Sequence, residues 1–195
     1  MELKIKYKMI PQLPLDLIPK AVENIAVQNL FIEIPRCTIN LIKWDGEPIH
    51  DTFGGKPLVS VENKPMFAEL AIMTLFANDN WDTRWIEVYG KSTPVFLSEW
   101  KDDKYKNQIH HPFDNKYPET LLQDIASKNR NSYSGCWDIL AFKDNNIVFA
   151  ECKRRNRDKI RPSQINWLSA GLNSGLTKDN FLVVEWDMNA ADRPH

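Results

Sequence analysis

Along residues 136–153 apolar positions fall into two short runs, Cys136-Trp137-Asp138-Ile139-Leu140-Ala141-Phe142 and Ile147-Val148-Phe149-Ala150-Glu151-Cys152-Lys153. The linker Lys143-Asp144-Asn145-Asn146 is polar and rich in turn formers, so the unit predicts a β-hairpin. Side chains alternate along a strand, which puts Ile147, Phe149, Glu151 and Lys153 on one side and Val148, Ala150 and Cys152 on the other. Both faces stay apolar until the end, as in a strand covered on both sides. A carboxylate and an ammonium at the mouth of such a strand are costly to place unless something pairs with them.

The rest of the chain can be read in the same way. Residues 2–10 alternate Leu3, Ile5, Tyr7 and Met9 against charged neighbours and predict a half-buried strand. Residues 16–28 have helical spacing, with Pro19 suited to a first turn. Residues 30–34 and 38–44 predict two further strands, and Gly46, Pro48, Gly54, Gly55 and Pro57 punctuate a loop. A nearly all-apolar helix is expected over residues 65–78, with Asn63 as N-cap and Pro65 early in the helix. A strand at 85–89 and an amphipathic helix at 118–128 follow, separated by the polar stretch 90–117, which is long enough to suggest a functional loop. After the hairpin come a helix at 162–174, stopped by Gly175, and a strand at 181–186. Stripped of insertions the order is α-β-β-β-α-β. This predicts an α/β (α+β mixed) fold, a mixed sheet flanked by helices. Residues 1–60 form a β-rich N-terminal extension, either a subdomain or extra strands on the main sheet, and residues 61–195 form the main domain.

At 195 residues, with 43% hydrophobic residues and seven tryptophans, the chain can bury one sizeable core. No apolar run approaches the ~18 residues of a membrane span, and the start of the chain lacks a secretory apolar region. Three widely spaced cysteines predict reduced thiols in a soluble cytoplasmic protein, without a disulfide framework or zinc cluster. The net charge of −1 is uninformative, but its distribution is not. From Glu151 to Arg161 the chain carries six basic and two acidic residues. Arg154, Arg155, Arg157, Lys159 and Arg161 either keep a loop solvated or meet a phosphate backbone.

Asp138 sits in an apolar strand, where aspartate is disfavoured. Side chains two apart on one strand are ~6.5–7 Å apart at their Cα atoms, so Glu151 and Lys153 can face a common third object. They can equally form a structural ion pair. Together Asp138 and Glu151 make a carboxylate pair able to hold Mg²⁺ beside a lysine, an arrangement for metal-assisted phosphodiester hydrolysis. Glu69 is the only charged residue between Met66 and Asn78. Gln164 lies in the first turn of its helix, on the face of Leu168. His110-His111 has no partners at ligand spacing, and Cys136 enters an apolar strand as packing.

Asp138 with Glu151-Cys152-Lys153 resembles the motif of the PD-(D/E)XK nuclease superfamily. The run Arg161-Pro162-Ser163-Gln164-Ile165-Asn166-Trp167-Leu168 is similar to the glutamine-containing helix of its VRR-NUC and resolvase-like branch. Glu69 in Met66-Phe67-Ala68-Glu69-Leu70-Ala71 resembles the acidic position on that family's first core helix. Trp137 departs from the pattern, standing where the family often has proline. The resemblance covers roughly residues 62–188 and implies a restriction-endonuclease-like core. It also implies an Mg²⁺- or Mn²⁺-dependent deoxyribonuclease, an endonuclease, acting on DNA. Asp138, Glu151, the Cys152 carbonyl and Glu69 would serve the metal, with Lys153 and Gln164 at the reacting phosphate. A homodimer would suit two-strand cutting. A catalytically inert nucleic-acid-binding module of the same fold is the alternative.

Overall fold

The computed structural model describes residues 11–189, so the strand expected at residues 2–10 lies outside the described residues. A helix was expected over residues 16–28. The chain instead makes a short 3-10 turn, Leu15–Leu17, and then strand β1 (Ala21–Val27). Tertiary pairing overrides the helical spacing here. Each β1 residue pairs antiparallel with β2 (Leu30–Lys43), and Ile25 and Val27 bury on one face. The two strands expected at 30–34 and 38–44 are one strand, running through Pro35.

A tight turn with positive φ at Glu62 (51°) and Asn63 (60°) links β3 (Leu58–Val61) to β4 (Lys64–Phe67). Asn63 is therefore a turn residue and not a cap. Pro65 lies in β4, at the end of the sheet order, where its missing N–H is tolerated. Helix α1 (Ala68–Asn78) starts three residues later than expected. Next come β5 (Asp82–Glu87) and β6 (Val95–Leu97), the latter inside the stretch read as an irregular loop. Helix α2 (Tyr117–Lys128), β7 (Ile139–Lys143), β8 (Asn146–Arg154), α3 (Pro162–Asn173) and β9 (Phe181–Asn189) complete the chain. The hairpin turn between β7 and β8 places Asp144 and Asn145 at φ 49° and 66°, as such two-residue connections require.

One mixed sheet takes the order β4-β3-β2-β9-β8-β7-β5-β6, with β1 also paired to β2. Strand β9 runs parallel to both β2 and β8; the other pairs are antiparallel. Residues 30–43 of the N-terminal segment thus run through the middle of the same sheet as the hairpin. Alternation along β8 holds as expected. Val148, Ala150 and Cys152 join α1 in one core, while Ile147 and Phe149 join α2 and α3 in the other. Each core is closed by fully buried aromatics, Phe76 on the first face and Phe149, Trp167 and Phe181 on the second. Each such side chain contributes roughly 1.5–3 kcal/mol of burial. Among the described residues no helix is long and apolar enough to cross a membrane.

Candidate functional site

The hairpin opens towards one end of the sheet. The β7–β8 ladder ends at Ile139 and Ala150, and Asp138, in the bend just before β7 and not in the strand expected there, sits at its mouth close to Glu151. The Asp138 Oδ2 accepts the Cys152 N–H at 2.8 Å, and the Asp138 carbonyl accepts the Ile86 N–H at 2.7 Å. Strands β5, β7 and β8 together therefore fix this carboxylate.

Asp138, Glu151, Lys153, Glu69, Gln164 and Arg161 all line a single cleft of about 790 Å³, joined by Arg154, Arg157 and Cys152. Within it Glu151 is 1% exposed and Lys153 8%. Lys153 Nζ lies 2.8 Å from Glu151 Oε1. Gln164 closes the triangle. Its Nε2 donates to Glu151 Oε1 at 2.6 Å, and its Oε1 accepts from Lys153 Nζ at 3.1 Å and from the Arg161 N–H at 2.8 Å. The last bond also satisfies an amide at the start of α3, so one side chain caps the helix and positions the lysine.

The segment before Asp138 is wedged against that same helix turn. Gly135 has φ +80°, and a Cβ there would lie 2.1 Å from the Ser163 carbonyl oxygen. Only glycine meets both demands. Trp137 is fully buried against Phe181, and its Nε1 donates to the Gln164 carbonyl at 3.3 Å. Trp137 thus ties the segment carrying Asp138 to α3.

Burial pushes the Glu151 carboxyl well above its ordinary range, and the Asp138 charge pushes it the same way; Lys153 opposes both. Oε2 of Glu151 is buried with no hydrogen-bond partner. An orphan carboxylate oxygen costs free energy unless a proton or cation meets it. Two hard-oxygen carboxylates side by side, one with a lone pair unsatisfied, suit a small divalent ion. Among the described residues no group of three or more His, Cys, Asp or Glu side chains is arranged to hold a metal.

Glu69 reaches the cleft from the first turn of α1 but is already engaged, by an ion pair with Lys56. Lys56 was not singled out from the sequence. Its Nζ sits 4.8 Å above the Trp85 ring and 5.5 Å from that of Phe53. Burial works to lower its pKa, but Glu69 and Asp138 outweigh burial and hold the ammonium above its usual range. Glu87, also missed, lines the cleft and is 8% exposed. Burial raises its carboxyl, against the bond it accepts from the Tyr89 N–H at 2.6 Å. A charged residue ending the apolar run Trp85-Ile86 was the available signal, the one that marks Glu151.

The basic run divides. Arg154, Arg157 and Arg161 line the cleft, with the Arg154 guanidinium 5.7 Å from the Trp186 ring. Arg155 turns to Glu185 at 3.8 Å, and Lys159 lines an adjoining groove with Glu23 and Arg36. His110 stacks on Phe96 and accepts its N–H at 3.1 Å, and His111 is bonded to Ser98, both outside the cleft. No residue of 90–117 lines it. The Cys136 and Cys152 thiols are pushed up by burial and are inert packing. In comparison with known proteins, the chain matches no family model, no curated protein and no solved structure.

Proposed function

We propose that the chain is a divalent-metal-dependent nuclease of the PD-(D/E)XK type that hydrolyses DNA phosphodiester bonds. The observation that carries this reading is the pairing of Asp138 with a buried Glu151 whose Oε2 lacks a partner, in a cleft that also holds Lys153 and three arginines. Asp138 and Glu151, with the Cys152 carbonyl, would hold Mg²⁺ or Mn²⁺. When bound, such an ion neutralises charge on the phosphate and acidifies a water. Glu69, occupied by Lys56, is not needed as a ligand.

The remaining roles fall to the chain itself. Lys153 places its ammonium against a non-bridging oxygen of the scissile phosphate, where negative charge grows in the transition state. Gln164 fixes the direction of that ammonium through bonds to Lys153 and Glu151. The attacking water's oxygen bonds to phosphorus and gives its proton to bulk water, while the bond to the ester oxygen breaks and that oxygen takes a proton from water. Arg154, Arg157 and Arg161 supply sequence-independent affinity for the flanking backbone.

A cleavage screen over linear, circular, flapped and four-way-junction DNA with Mg²⁺ and Mn²⁺ tests the reading. Metal-dependent products lost in Asp138→Asn are expected. DNA binding without cleavage on every form would identify an inert binding module instead. No Mn²⁺ binding by calorimetry would remove the metal.

A further inference from the structure

Two tryptophans flank the carboxylate pair, and each carries a cation on its ring. On β5, Lys56 stands over Trp85; on β9, Arg154 stands over Trp186. Both rings belong to the core on the α1 face. Between them in the sheet lie β7 and β8, which bring Asp138 and Glu151. Lys56, Asp138, Glu151 and Arg154 all line the one cleft, the two cations seated over rings on the strands to either side of β7 and β8.

We propose that Lys56 forms a phosphate subsite on the β5 side of the cleft, matching Arg154 on the β9 side, so that one DNA strand lies across the strand ends and is gripped on both sides of the cut. This rests on the nuclease reading above and names how its substrate is held. Strands β5 and β9 are three sheet spacings apart, roughly 14 Å, enough for the two cations to meet different phosphates of one strand.

Lys56 is built for this more than for a structural ion pair. Its side chain is 31% exposed against 13% for its partner Glu69, and both line the cleft. Trp85 is 1% exposed and packed edge-on by Phe53 and Phe67, which fixes the surface under the ammonium. A cation held by a carboxylate and two rings loses little further freedom on meeting a phosphate. Glu69 then acts as a positioning residue for Lys56.

Binding in EDTA tests the subsite apart from catalysis. A fluorescent single-stranded DNA oligonucleotide is titrated with wild type, Lys56→Met, Lys56→Arg and Arg154→Met over a series of salt concentrations. Methionine keeps an unbranched stem on the rings, and a thermal melt checks that each variant is folded. Lys56→Met is expected to lower the slope of log affinity against log salt by about 0.7, one single-strand phosphate contact, and Arg154→Met by about the same. Lys56→Arg should keep the wild-type slope. Mn²⁺ affinity, read by calorimetry, should rise and not fall in Lys56→Met, because the ammonium is attracted to Asp138 and its loss frees that carboxylate's charge for the metal.

An unchanged salt slope in Lys56→Met, with wild type binding and cutting normally, overturns the subsite and leaves the nuclease reading standing. Loss of Mn²⁺ binding in Lys56→Met also overturns it, since Lys56 would then be holding the carboxylate site together and not a phosphate. Wild type that binds no DNA overturns both.

Discussion

The cleft contains two ammonium–carboxylate pairs, and they are held in opposite ways. On the α3 side, Lys153 and Glu151 have side chains 10% and 1% exposed. Gln164 bonds to both, and neighbouring positions on one strand fix their spacing. On the α1 side, Lys56 and Glu69 come from a loop and a helix, and the lysine leans on aromatic rings. Opposite charges attract far more strongly where water is excluded, but both ions also lose their hydration. The α3 pair therefore gains rigidity at a desolvation cost, visible in the raised Glu151 carboxyl. The α1 pair keeps more contact with water. The first arrangement suits a group that must not move during bond making, the second a group that meets an incoming strand.

Removing each lysine should separate the two sides most sharply. Lys153→Ala is expected to lower the cleavage rate by roughly 10²–10³, the usual weight of one electrostatic stabiliser. It also strands Glu151 in the interior, and stability should fall by about 3 kcal/mol, read by urea denaturation. Lys56→Met should cost less than about 1 kcal/mol, as for a partly solvated pair. Equal stability losses would erase the distinction between a locked and an open pair.

Next in size is Gly135→Ala. The added Cβ would overlap the Ser163 carbonyl at a backbone angle that alanine tolerates poorly. A loss on the order of 3 kcal/mol is expected, the upper range for such strain. The first turn of α3 should shift with it, so cleavage should fall along with the melting temperature. A stable, fully active variant would show that the α3 side is not fixed by this wedge.

The α3 side was also the legible one. Asp138, Glu151 and Lys153 sit in one hairpin, where period-two alternation and a turn signal settle which side chains meet. Gln164 needed only a helix start just after the strand. Lys56 lies in Phe53-Gly54-Gly55-Lys56-Pro57, a loop without periodicity, and its partners are thirteen and twenty-nine residues away. Such contacts depend on chain paths that local pattern does not encode. The same limit explains β1, read as a helix because its pairing with β2 outweighs local spacing, and the parallel alignment of β2 with β9. The apolar alternation of β8 survived because both its faces are filled by helices.

Gln164→Ala should act on the α3 side alone. It removes the acceptor for the Arg161 N–H and the donor to Glu151, both inside the cleft. About 2 kcal/mol of stability should be lost, since a buried group is left unmade. Lys153 keeps its charge but loses its guide, so kcat should fall while KM stays within about twofold. A rise in KM alone would place Gln164 in substrate binding.

The smallest effect belongs to Glu87, on the β5 side near Lys56. Its carboxyl is raised by burial, so in the folded protein it holds a proton at pH values where the unfolded chain has already lost it. Folding then takes up a proton, and stability falls as pH rises from the ordinary glutamate range through the raised folded value. Below that window the side chain is protonated in both states and contributes no difference. Glu87→Gln keeps an oxygen for the Tyr89 N–H and removes the charge. The variant should gain roughly 0.5–1 kcal/mol over wild type at about pH 7, the usual yield of one favourable substitution. At about pH 4, below the ordinary glutamate value, the gain should vanish. Urea denaturation at the two pH values measures the difference. A loss at neutral pH would mean that the Glu87 charge is needed to hold Lys56, and the α1 side would then be locked as firmly as the α3 side.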